Sequence, residues 1–114
     1  MTADDIGALF ADVMPVRVRR MFGGHGIFDG NAMFALEARG VIYLTTDART
    51  LPAFLAAGCE AFAFVRGGRE MTTRYRRIPD AAFDEVEELR RWVGLALAAA
   101  RPVRPRAARA ARPR

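Results

Sequence analysis

Four glycine-marked turns constrain this 114-residue chain more than any other feature. They are Gly23-Gly24-His25-Gly26, Asp29-Gly30, Arg39-Gly40 and Gly67-Gly68. The segments between them read as strands. Residues 16–22 open with Val16-Arg17-Val18-Arg19, an apolar/charged alternation of period two. Ile27-Phe28 resumes the pattern, 32–38 carries Met33, Phe34 and Leu36, and 41–46 is rich in β-branched and aromatic residues. The connections are too short for parallel crossovers, so the strands form an antiparallel meander. Residues 61–66 and 71–78 make a further hairpin around Gly67-Gly68. The run Gly23 to Gly26 is read as a bulge or sharp bend within the first strand, where the backbone needs positive φ or close approach.

Three helices frame these strands. Thr2 with Asp5 three residues on is a capping-box pattern, and Ile6, Leu9, Phe10 and Val13 form one apolar stripe that Pro15 ends. A second helix over 48–57 presents Leu51, Phe54 and Leu55, with Pro52 in its first turn and Gly58 at its C-terminal end. The third starts at Pro79-Asp80 with Asp80 as N-cap. It buries Val86, Leu89, Val93, Ala96 and Leu97, and pairs Glu87 with Arg91 on its wet side. The order is α-β-β-β-α-β-β-α, which predicts a two-layer α+β domain with the helices on one face of an antiparallel sheet.

Charge divides the chain. All 18 basic residues are arginine, against 13 acids, for a net of +5. Residues 101–114 hold Arg101, Arg104, Arg106, Arg109, Arg112 and Arg114 and no acid, which leaves residues 1–100 near neutrality at −1. A folded domain is therefore expected over 1–100 and a disordered, Arg/Pro/Ala-rich basic tail over 101–114. Those six arginines are the candidate nucleic-acid contacts, acting by counterion release with a salt slope of at most about −5. The sequence has no Lys, Ser or Gln. That excludes a serine nucleophile, a lysine Schiff base and a P-loop lysine. One His and one Cys cannot build a soft-ligand zinc site within the chain. No cofactor, metal or membrane span is expected, and the acidic N-terminus and lone cysteine point to the cytoplasm.

Few side chains suggest chemistry. Gly23 to Gly26 fails as a phosphate cradle, because no lysine and no helix follow. His25 has no legible partner and reads as an exposed turn residue. Cys59 reads as a small buried hydrophobe, and Asp84, Glu85, Glu87 and Glu88 as a solvated, dipole-complementing face. Arg17 with Arg19, and Arg74 with Arg76, each share a strand face, where cross-strand pairing with acids is expected. The phenylalanines, Phe64 and Phe83 included, and Trp92 are assigned to the core.

An ordered set of residues resembles the TfoX/Sxy N-terminal domain family. It begins with Met21-Phe22-Gly23-Gly24-His25-Gly26 running into Ile27-Phe28. It continues through Met33-Phe34-Ala35-Leu36, Val41-Ile42-Tyr43-Leu44 with Asp47, then Phe54 and Ala57-Gly58. Phe62, Met71, Tyr75, Pro79 and the Trp92 helix follow, so the resemblance spans about residues 5–98. It implies a fold like that of secretion chaperones and a link to competence regulators, transcriptional coactivators of DNA-uptake genes. It implies no catalytic residue. Met21, Phe22, Gly23, Gly24 and Gly26 are its motif loop, and His25 stands where the family often has an aromatic. Full-length members continue into a helical second domain where this sequence carries the arginine tail. The leading expectation is a non-enzymatic adaptor with a protein partner in the transcription machinery, and with nucleic acid engaged by the tail. The alternatives are a small-ligand or enzyme module built on the loop around His25, and a homodimeric, chaperone-like domain.

Overall fold

The computed structural model describes residues 1–21 and 23–101. The elements are α1 (Ala3–Phe10), β1 (Arg17–Met21), β2 (Gly24–Asp29), β3 (Ala32–Ala38), β4 (Val41–Thr45), α2 (Leu51–Ala56), β5 (Ala61–Arg66) and β6 (Arg69–Arg77). A 3-10 turn (Asp80–Phe83) and α3 (Val86–Ala100) complete the fold. The α+β class holds: three helices accompany one antiparallel sheet in the order β1-β2-β3-β4-β6-β5.

The sheet has one strand more than the periodicity predicts. The glycine run does not bulge a single strand. It reverses the chain, pairing Met21 with Gly24 and Arg19 with Gly26. Gly23 takes φ +76°, which a side chain resists. At Gly24 a Cβ would lie 2.0 Å from the Glu37 carbonyl oxygen, so β3 can approach only a glycine there. The bulge sits elsewhere. Ile27 pairs with Ala35 and Phe28 with Met33, which leaves Phe34 as the extra residue of β3.

That bulge lets Phe34 and Ala35 both enter the core, while Met33 and Leu36 share the opposite face. The core gathers Ile6, Phe10, Ile27, Phe34, Leu44, Phe54, Trp92 and Val93. Phe10 meets Phe34 edge-on at 5.7 Å, and Phe54 meets Trp92 at 4.8 Å. At the N-terminus both bonds of the Thr2–Asp5 capping box form, at 2.8 and 3.1 Å.

The last helix starts later than expected. Asp80 opens the 3-10 turn, and α3 begins six residues further on after Glu85, which makes no side-chain cap. Phe83 and Val86 are consequently exposed rather than buried, and Leu55 of α2 is also exposed. The expected Glu87–Arg91 pair is replaced by Glu87–Arg90 and Glu88–Arg91, each spaced i, i+3 rather than i, i+4. Among the described residues, no helix is long and apolar enough to cross a membrane.

Candidate functional site

Alternation in the strands assigns the second face of the sheet. Ile27, Ala35 and Ile42 enter the core, so Gly26, Leu36 and Tyr43 point the other way. Among the described residues this face carries no helix, and it holds a groove of about 800 Å³. Its walls are Met21 from β1, Met33 and Leu36 from β3, Phe62 and Phe64 from β5, and Tyr75 from β6. Arg66 and Arg74 add the positive charge.

Each wall residue has a local cause. Gly26 leaves room for Met21, whose Sδ and Cε lie within 2.9 Å of the position a Cβ would take. Met21 can therefore lie flat across β2. On β5 the sequence Ala61-Phe62-Ala63-Phe64 puts both phenylalanines on one face. Phe62 packs on Tyr43 at 4.9 Å and on Phe64 at 6.3 Å. Phe64 remains 41% exposed and Met71 equally so. The expectation that Phe64 belongs to the core is thus corrected. Burial raises the Tyr75 phenol above its ordinary pKa.

His25 and Glu37 border one end of the groove, with side chains that alternate onto the face opposite Gly26 and Leu36. His25 is no free turn residue. Its Nδ1 lies 2.6 Å from Glu37 Oε1, and its side chain is 14% exposed. Glu37 is 5% exposed and uses Oε2 to accept the Gly40 N–H at 2.8 Å, which ties it to the β3–β4 turn. Burial alone would raise this carboxyl. The hydrogen bonds from His25 and Gly40 outweigh it and hold the pKa below its ordinary value.

The arginines do not pair across strands as expected. Arg17 and Arg19 stack over Phe28 at 5.6 and 5.9 Å. Arg76 donates to the Cys59 carbonyl at 3.0 Å. Cys59 is buried, and burial pushes its thiol up, away from the reactive thiolate. Among the predicted nucleic-acid contacts, Arg101 belongs to the fold. Its guanidinium bridges to Asp29 Oδ2 at 2.6 Å and to the Asp29 carbonyl at 2.9 Å. Arg104, Arg106, Arg109, Arg112 and Arg114 lie outside the described residues, as does Phe22 of the motif loop. Met21, Gly23, Gly24 and Gly26 belong to the β1–β2 hairpin, and Met21 of these lines the groove.

Glu37, Leu36, Phe62, Phe64 and Tyr75 were not singled out as site residues in the sequence. Two signals were available: an acid inside the apolar run Phe34 to Ala38, and the two-residue repeat of phenylalanine on β5. With this geometry in place, the comparison with protein families is informative. The profile of the TfoX N-terminal domain family matches residues 8–100. No curated protein matches the chain.

Proposed function

We propose a regulatory, protein-binding role on the premise that the chain belongs to the TfoX N-terminal domain family. At the family level this is a competence-related regulatory domain. The chain acts without catalysis, as an adaptor that holds a partner of the transcription machinery in its outer groove. The observation that carries this reading is the groove itself: aromatic and methionine side chains, half open to water, on a sheet face with no helix over it among the described residues. Tyr, Phe and Met are the residues enriched where proteins meet. Arg66 and Arg74 favour a partner segment that carries acids beside its apolar residues.

The test is genetic and structural together. Deleting the gene lowers transcription of DNA-uptake genes in its host, and the wild-type chain restores it. The Leu36→Glu variant, which puts a charge into the groove, folds but does not restore it. Restoration by that variant contradicts the reading.

The tail is a separate, nucleic-acid-binding part of the same proposal. With Arg101 held by Asp29, five arginines remain beyond it, and the salt slope on duplex DNA is at most about −4.5. A chain ending at Ala100 loses that binding. Equal binding by both chains, or by neither, removes the tail from the account. A second reading, a small anionic ligand held by His25 with Arg66 or Arg74, is favoured by the placement of all three around the groove. Its sign is saturable binding that His25→Ala abolishes and Leu36→Glu weakens.

A further inference from the structure

The two edges of the sheet are protected very differently. One edge is β1, with Arg17, Arg19 and Arg20 in five residues, all exposed. Like charges along an edge keep another strand away. The other edge is β5, whose sole neighbour among the described residues is β6. Its sequence is Ala61-Phe62-Ala63-Phe64-Val65-Arg66, with Val65 73% exposed. It has no proline, no inward-facing charge and no bulge of its own. The register shift beside it places the extra residues in β6, four steps of which match two of β5. A regular, apolar and uncovered edge is a template for another strand.

The hydrogen bonds already made fix which atoms are free. The Glu60 carbonyl accepts the Arg77 N–H at 2.7 Å, and the Phe62 carbonyl accepts the Thr73 hydroxyl at 3.0 Å. Even-numbered residues of β5 therefore face β6. Ala61, Ala63 and Val65 turn their N–H and C=O groups outward.

We propose that β5 pairs antiparallel with β5 of a second copy of this chain, about a two-fold axis at Ala63. Antiparallel pairing requires outward residues to oppose outward residues. With Ala63 opposite Ala63, Ala61 opposes Val65, and each such pair exchanges two N–H···O bonds. The same register sets Phe62 opposite Phe64 of the second copy, an aromatic cross-strand pair. It also sets Glu60 opposite Arg66 at both ends, so that acid meets base twice by symmetry. A shift of two residues either way shortens the ladder and separates Glu60 from Arg66. This complementarity argues for a second copy over an unrelated strand. The axis stands perpendicular to the sheet, so the two outer grooves open on the same side of one continuous sheet.

Sedimentation velocity of the full chain over a concentration series tests the pairing. The expected result is a reversible dimer with a Kd in the micromolar range, as suits a small interface. Ala63→Pro removes an N–H that only the second copy uses, and edge strands tolerate proline on that side. It should yield a monomer with an unchanged circular dichroism spectrum. Glu60→Arg, an exposed position with no part in the core, should weaken the dimer about tenfold, and Glu60→Arg with Arg66→Glu should restore it. A wild-type chain that stays monomeric to about 1 mM overturns the proposal. So does a dimer indifferent to Glu60→Arg, or one the double variant fails to restore. The inference stands apart from the groove reading, because Leu36→Glu lies off the edge and should leave self-association intact.

Discussion

The two faces of the sheet use much the same residue types and meet opposite fates. Phe34 faces the helices and is fully buried, whereas Phe64 faces the open side and is 41% exposed. Both sit in apolar, alternating strands. The difference lies in cover: α1 and α3 bring Ile6, Phe10, Trp92 and Val93 onto one face, and among the described residues no helix lies over the other. An apolar strand residue is therefore core only where a second layer reaches it. On this chain the uncovered set forms a groove, bordered at one end by the hydrogen-bonded His25 and Glu37.

The comparison predicts a steep gradient of effects. Phe34→Ala should destabilise the chain by about 3–5 kcal/mol, because it empties a close-packed site against Phe10. Urea denaturation measures this, and a loss below about 1 kcal/mol would show that the helix face is not the core described.

Glu37→Gln comes next, at about 1–3 kcal/mol near neutral pH, since it disturbs a buried acceptor shared by His25 and Gly40. Its pH dependence has a definite sign. The folded carboxyl titrates below its unfolded value of about 4.3, so its contribution is complete above that pH. The contribution fades as pH falls through the depressed folded value. Denaturation from pH 7 to 3 should show the wild type losing this increment in that acid window while Glu37→Gln does not. Parallel curves would remove Glu37 as the cause.

Leu36→Glu, on the open face, should cost about 1 kcal/mol or less, while the same charge at Ala35 on the helix face should prevent folding. The smallest effect belongs to the Arg101–Asp29 bridge. Both side chains are partly exposed, at 52% and 29%, so Arg101→Ala should change stability by no more than about 1 kcal/mol. A loss well beyond that would make this bridge a structural lock on the end of α3.

What the sequence made legible was what local rules decide. The capping box at Thr2 and Asp5, the positive φ of Gly58 and the hairpin at Gly67-Gly68 all follow from residues within a few positions of one another. The glycine run was harder. Three of its four residues lie in β2, and Gly24 and Gly26 serve close packing against Glu37 and Met21 rather than a bend. That requirement comes from a neighbouring strand and leaves no local trace. The bulge at Phe34 and the contact between His25 and Glu37, twelve residues apart, are likewise products of strand register. Phe83 and Val86 were assigned to the core because an N-cap at Asp80 would have turned them inward. The 3-10 turn consumed that first turn instead. The groove went unseen for a related reason: alternation identifies two faces but not which one the helices cover.

The central claim is that the outer face is an open apolar surface in the folded chain. An apolar dye that fluoresces on hydrophobic surface tests it directly at neutral pH. The wild-type chain should enhance its fluorescence saturably while fully folded, and Leu36→Glu should abolish the enhancement while still unfolding cooperatively. No enhancement by the folded wild type, or the same enhancement from Leu36→Glu, would contradict the account.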